Sequence, residues 1–271
     1  MLKIKKIILL VLQSRQNLFW ILQAFFIRFR IKHDVTVKNG DFNGTKLILM
    51  PHCDDEWIGC SQIICNNTQV TICDMDMSGG DSVELHSIRK SELLKVITKY
   101  NLKYKLLGGN RIQELLEILQ SIRPNYVFLP FFKDWHSEHI EVMALLKDVL
   151  KIYSPQINIA MYQVSLPISG KYITHANGMD LQLLNEKWDT FKKIYTTQNC
   201  IKIVRFKANE IINGKYIKAF SAEAYCVMTK EQWLNNYDSL ILNKSERQYS
   251  RNNINSLFKI HRFLEQTFIK R

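Results

Sequence analysis

Between residues 46 and 164 the chain alternates short strand-like runs with stretches of helical period, and this constrains the fold more than any other feature. The strand-like runs fall at 46–50, 69–73, 103–107, 125–130 and 157–164. Helical stretches lie between them, near 56–66, 84–101, 110–121 and 136–152. Strand and helix alternating at this spacing imply βαβ units and a largely parallel sheet. Several runs are nearly all apolar, as expected for strands covered by helices on both faces. The fold class read from the sequence is therefore α/β, a Rossmann-like three-layer sandwich with a mostly parallel central sheet. Beyond residue 165 the alternation weakens. Residues 185–196 and 205–212 read as helices, 219–228 as a late strand and 255–269 as a terminal helix.

Two clusters of histidine and carboxylate follow two of the strands. The run Leu47-Ile48-Leu49-Met50 leads into Pro51-His52-Cys53-Asp54-Asp55-Glu56, and Tyr126-Val127-Phe128-Leu129-Pro130 is followed by Asp134-Trp135-His136-Ser137-Glu138-His139. Open α/β sheets place their sites beyond the carboxyl ends of their strands, so both clusters fall where one site would be assembled. His52, Asp55 and His139 supply two imidazoles and a carboxylate. That set suits a catalytic zinc ion with a position left for water, and by ligand type it leaves Fe(II) open as well. Asp54 is available as a general base for bound water. His136, three residues before His139, could stabilise an oxyanion or protonate a leaving amine, with Asp134 orienting it and favouring its cationic form. Each element also has a plainer reading. Asp54-Asp55 and Asp134 could cap helices, and a single HxxH spacing on a helix is weak.

These residues resemble the LmbE/PIG-L family of zinc-dependent N-acetylglucosaminyl deacetylases. PHCDDE is similar to that family's (A/P)HPDDE, and DWHSEH to its D-x-H-P-D-H. Three further landmarks fall in family order: Ser78-Gly79-Gly80-Asp81 with Arg89-Lys90-Ser91-Glu92, then Lys187 with Tyr195-Thr196-Thr197-Gln198, then Ala222-Glu223-Ala224-Tyr225. The resemblance covers roughly residues 44–230. It implies a Rossmann-like fold and hydrolysis of the N-acetyl group of an N-acetylglucosamine conjugate. By position His52, Asp55 and His139 match the zinc ligands, Asp54 the general base and His136 the histidine that stabilises the transition state. Arg89 matches an arginine linked to substrate recognition; its plainer reading is a surface ion pair with Glu92. Cys53 stands where the family has proline, which frees a backbone N–H, and Ser137-Glu138 replaces Pro-Asp.

Charge separates the flanks from the body. The net charge of +12 is confined to the ends: residues 1–33 hold seven Lys and Arg and no acid, and residues 241–271 hold seven Lys and Arg and two acids. Three parts follow: a basic apolar segment 1–33, a deacetylase-like domain 34–240 and a basic helical tail 241–271. A neutral body argues against a nucleic-acid groove, and no nucleic acid is expected as a partner. The N-terminal apolar stretches, broken by Gln13-Ser14-Arg15-Gln16-Asn17, are too short for a membrane span. With Phe19, Trp20, Phe25 and Phe26 beside cations, the segment suits a helix lying on an anionic membrane surface; docking on the protein's own core is the alternative. The six cysteines form no CxxC pair, and Cys65 and Cys73 read as packed thiols, which fits a reducing compartment. The expectation is a cytoplasmic metal-dependent deacetylase, peripheral on the membrane face, acting on a lipid-linked or envelope glycan precursor or on a water-soluble conjugate. The competing reading is a non-catalytic membrane-surface scaffold with a degenerate deacetylase fold. Oligomeric state is not readable.

Overall fold

The computed structural model describes residues 2–31, 36–66, 69–78, 80–198 and 201–269, and side chains between residues 13 and 267. The elements run α1 (Leu2–Arg30), β1 (Lys38–Asn39), β2 (Lys46–Met50), α2 (Asp55–Asn66), β3 (Val70–Asp74), α3 (Val83–Lys99), β4 (Lys103–Leu106), α4 (Arg111–Ile122), β5 (Tyr126–Pro130) and α5 (Ser137–Ile152). They continue with β6 (Asn158–Tyr162), β7 (His175–Met179), α6 (Leu181–Ile194), α7 (Ile203–Gly214), β8 (Ser221–Thr229), α8 (Lys230–Leu240), α9 (Lys244–Asn253) and α10 (Leu257–Ile269).

One eight-stranded sheet has the order β1-β7-β8-β6-β5-β2-β3-β4. β8 runs antiparallel to both β6 and β7, and every other pairing is parallel. The chain moves outward from β2 to β3 and β4, then returns to place β5 on the other side of β2. This reversal opens a crevice beyond the carboxyl ends of β2 and β5, which carry the two histidine-carboxylate clusters. The strand β2 shows why its residues read as a buried run. Ile48 and Met50 enter one apolar layer, Leu47 and Leu49 the other, and all are fully buried.

The helix α2 carries the first cluster into the core. It is kinked at Cys60, where φ is −134° and ψ is 23°. The kink releases the amides of Ser61 and Gln62, and both donate to the Glu223 carboxylate at 3.0 Å. Lys187 balances that buried charge: its Nζ donates to Glu223 Oε1 at 2.6 Å, to Glu210 Oε1 at 2.5 Å and to Ile58 O at 2.7 Å. Gly59 lies against Tyr162, where an added Cβ would stand 2.1 Å from the ring. The kinked helix can therefore approach the sheet only without a side chain at this position.

The basic flanks pack on the body. α1 is one helix through Gln13–Asn17, and Trp20, Gln23 and Ala24 are buried on its inner face. The Arg28 guanidinium donates to the carbonyls of Ile211, Ala219 and Phe220 at 2.6–2.8 Å. The tail joins α1 where Trp20 Nε1 donates to Asn255 O at 2.8 Å and Leu257 N to Gln23 Oε1 at 3.0 Å. The docking weighed as the alternative for the first segment is observed, and the opposite face of α1 is exposed. Among the described residues no helix is long and apolar enough to cross a membrane. Cys73 is buried, but Cys65 is exposed on the last turn of α2, correcting its reading as a packed thiol. Cys200 and Gly79 lie outside the described residues.

Candidate metal centre and active-site pocket

The loop after β2 and the first turn of α5 meet in the crevice. His52 Nδ1, Asp55 Oδ2 and His139 Nε2 form a near-equilateral triangle, with separations of 3.3, 3.4 and 3.2 Å. Donors about 2.0–2.1 Å from a tetrahedral zinc ion stand roughly 3.3–3.4 Å apart, so the triangle has the edge length such an ion requires. The three imidazoles His52, His136 and His139 also offer nitrogens within 4.8 Å of one another. That set is looser, and it places His136 beside the triangle instead of within it.

The outer nitrogens of the two ligand-like histidines each face a carboxylate. His139 Nδ1 lies 2.8 Å from Asp134 Oδ2, and His52 Nε2 lies 2.5 Å from Glu138 Oε2. Carboxylates in this position fix the tautomer and direct the free nitrogen inward, the arrangement that metal-binding histidines use. Asp134 thus orients the ring of His139, where the sequence assigned it to His136; it reaches His136 only by accepting its backbone N–H at 2.9 Å. The role of Glu138 was missed in the sequence, because its partner lies 86 residues away.

The carboxylates of the cluster act on its imidazoles. Burial works against protonated imidazoles, yet Asp55 and Glu138 raise the His52 pKa to about 9, and Asp134 and Asp55 raise that of His139 to about 10. Asp55 is also buried, and its pKa is still drawn far below the usual carboxylate range by His139 and His52. A divalent ion on these nitrogens would need the neutral imidazoles, so its binding would release protons. Asp54 behaves oppositely: burial, then the charges of Asp55 and Glu56, push its pKa well up. Two adjacent carboxylates thus have their pKa values driven apart. His136 is held below its ordinary value by burial and by the other two imidazoles, so the cationic form expected from Asp134 is not favoured here.

The pocket above the triangle has a volume of about 470 Å³. Asp54, Asp55, His136 and Arg89 line it, together with Trp135 and Arg205. Arg89 pairs with Asp81 at 2.5 Å, not with Glu92. Glu92 instead accepts from Thr196 Oγ1, Thr197 N and Thr197 Oγ1 at 2.7, 3.1 and 2.6 Å. Glu56 accepts from the Tyr195 hydroxyl, and burial raises its pKa to about 8. The later sequence landmarks are therefore joined in space: Glu92 to Thr196-Thr197, and Lys187 to Glu223. Cys53 is buried in the apolar layer and belongs to neither donor set. The tail contributes too, since Ile254 and Asn255 form part of the pocket rim.

Comparison with solved structures places the architecture. The conserved protein TT1542 from Thermus thermophilus superposes with a TM-score of 0.54 at 18% identity, over 68% of this chain and 94% of that one. The fold is similar to that of TT1542. Two further structures align over 68% of this chain. The zinc-inhibited form of teicoplanin deacetylase Orf2 has a TM-score of 0.44 at 9% identity over 98% of its length. The A40926 pseudoaglycone deacetylase Dbv21 has a TM-score of 0.42 at 11% identity over 97% of its length. No family model matches the chain.

Proposed function

We propose that this protein is a metal-dependent N-deacetylase of an N-acetylated amino-sugar conjugate, with zinc as the metal. The observation that carries the reading is the His52–Asp55–His139 triangle, with Asp54 and His136 on the walls of the same pocket. The resemblance of the two clusters to the LmbE/PIG-L motifs supplies the substrate class.

A divalent ion held by these three residues would make hydroxide available near neutral pH and polarise an amide carbonyl. The protein's own groups do the rest. Asp54, on the pocket wall beside the triangle, takes a proton from the attacking water. His136 presents a ring nitrogen to the oxygen that gains negative charge as the acetamide carbon becomes tetrahedral. The proton held by Asp54 is then available to the departing amine, releasing acetate and the free amino sugar. Arg89, fixed by Asp81, borders the space for the sugar.

Association with a membrane surface is the second part of the proposal. The outer face of α1 presents Leu18, Leu22, Phe25 and Phe29 at helical spacing, with Phe19 and Phe26 beside them, and Phe29 is 87% exposed. Exposed Arg15 and Arg30 flank this stripe, and Lys259 and Arg262 lie on the neighbouring α10. A broad apolar stripe edged by cations fits the interface of an anionic bilayer.

The test is acetate release from a panel of N-acetylglucosamine conjugates by protein of known zinc content. Release abolished by chelator and restored by zinc is expected. Zinc-loaded protein that releases acetate from no member of a broad panel would favour the scaffold reading.

A further inference from the structure

The active-site pocket does not end at His136. Trp135 and His136 are shared with a second cavity of about 350 Å³, whose far wall is α9. Lys244, Arg247 and Arg251 occupy one face of that helix at i, i+3 and i+7, and all three line the cavity. Arg251 stacks on Trp135 with its guanidinium 5.5 Å from the ring centroid. The one acid of α9, Glu246, is already engaged: it accepts the Asn243 N–H at 2.9 Å in a capping box. Among the described residues none of the three cations has a carboxylate within ion-pair distance.

A second observation comes from inside the pocket. Arg205, on α7, is only 9% exposed and lines the active-site cavity. Among the described residues its buried Nε has no hydrogen-bond partner, and Nη1 donates to the Ser165 carbonyl at 3.5 Å. Among the described residues no carboxylate pairs with it, and the nearby Asp134 is committed to His139 and the His136 amide. The guanidinium lies over the Phe206 ring and feels the charge of Asp134, but its Nε donor is unfilled and it has no ion-pair contact, a cost that an anionic ligand would relieve. Lys202 lines the same cavity. α5 begins at Ser137 without a side-chain cap, and Ser137 also borders the second cavity. The positive end of this 16-residue helix thus adds to the field there.

We propose that the cationic groove from Arg205 and Lys202 past Trp135 to Lys244, Arg247 and Arg251 is an anion subsite, and that it receives a phosphate or diphosphate ester attached to the amino sugar. Five cations suit a di- or trianion better than a single carboxylate, and arginine forks match phosphate oxygens. The sugar half of the inference rests on the deacetylase reading; the anion half stands on the groove alone. A diphosphate could be carried by a nucleoside or by a lipid, and both present the same chemistry to these side chains.

The experiment has a binding arm and a kinetic arm, both on the full chain. Calorimetry measures inorganic pyrophosphate binding to the wild type and to Arg247→Glu/Arg251→Glu. Both residues lie on the surface of α9, so circular dichroism should show the variant folded. Metal content is matched, so contact of pyrophosphate with the metal registers equally in both. At least a tenfold loss of affinity in the variant is expected, and equal affinity, or no binding by the wild type, overturns the subsite. The kinetic arm compares free N-acetylglucosamine with a nucleoside-diphosphate-linked and a polyprenyl-diphosphate-linked form. A higher kcat/KM for either linked form, lost in the variant, supports the subsite and identifies the carrier. Hydrolysis of the free sugar as good as that of both linked forms, unaltered in the variant, overturns the subsite and leaves the deacetylase reading intact. Variant-sensitive pyrophosphate binding with no hydrolysis of any sugar sinks the deacetylase reading and leaves the anion subsite standing.

Discussion

Asp134 holds His139 by its Nδ1 at 2.8 Å, and the opposite nitrogen of the same ring is thereby aimed at Asp55 and His52. The carboxylate does not enter the triangle, yet it sets the ring's orientation and tautomer. Asp134→Ala should weaken zinc binding about 10- to 100-fold. Competition against a chromophoric chelator measures this. Affinity unchanged in the variant would mean that His139 is oriented by packing alone. Glu138→Gln probes the matching contact to His52 and should move affinity in the same direction, by less, because an amide can still accept the His52 N–H.

Asp54 and Asp55 are neighbours in sequence with opposite electrostatic environments, and they separate experimentally. Asp54→Asn should lower kcat by about 10²- to 10⁴-fold, the contribution typical of a general base, with zinc content preserved. Asp55→Asn should lose the metal first. Near-normal turnover by Asp54→Asn would remove the base assignment.

The βα units and the pairing of the two clusters were legible because each depends on local pattern. A buried strand such as Leu47–Met50 is apolar on both faces, and the residues after it are fixed at the sheet's edge by connectivity. What was not legible depends on distant contacts or on polar helices. β7 (His-Ala-Asn-Gly-Met) has no apolar run and exists through its pairing with β8. α8 was not read, and α9 only as part of a helical tail, because both have too few apolar residues for periodicity to expose them, although both begin with a capping box, at Thr229/Gln232 and Asn243/Glu246. That short signature was present in the sequence and could have located them. Arg205 and Glu138 acquire meaning only when α7 and α5 converge on the pocket.

Lys187 joins α6 to Glu210 on α7 and Glu223 on β8, and so holds the kinked α2 behind the candidate site. Lys187→Met leaves two buried carboxylates without their cation. It should destabilise the protein by about 3–5 kcal/mol, as expected when one partner of a buried ionic group is removed. Urea unfolding would show it. Adding Glu210→Gln and Glu223→Gln to that variant should recover part of the loss, because the uncompensated charges go with the carboxylates. No recovery would place the penalty in packing.

His261 on α10 is buried, and its nearest hydrogen-bonding group is Asn209 Oδ1 at 3.4 Å. Burial lowers its pKa from 6.5 to about 4. The unfolded chain therefore binds a proton more readily than the folded one between these values. Stability contributed by the neutral imidazole is fully present above pH 6.5 and drains as pH falls toward 4. The loss amounts to about 3 kcal/mol at most. His261→Gln should flatten this part of the stability profile between pH 6.5 and 4, as read from urea midpoints. A variant whose acid sensitivity equals the wild type's would show that α10 does not depend on this group.

The two faces of α1 make the membrane proposal separable from folding. Trp20, Gln23, Ala24 and Arg28 fasten the helix to α7 and the tail, whereas Leu22, Phe25 and Phe29 project away from the body. Substituting Phe25 and Phe29 with Ser removes only groups that the fold leaves exposed, so the thermal midpoint should shift by little. Flotation with vesicles containing anionic lipid should fall sharply in that double variant, and also for the wild type as salt rises, because the flanking cations are screened. Wild-type protein that stays with the aqueous fraction at low salt would remove the lipid surface as the partner of this stripe. Binding by the double variant as strong as the wild type's would move the contact to the basic tail.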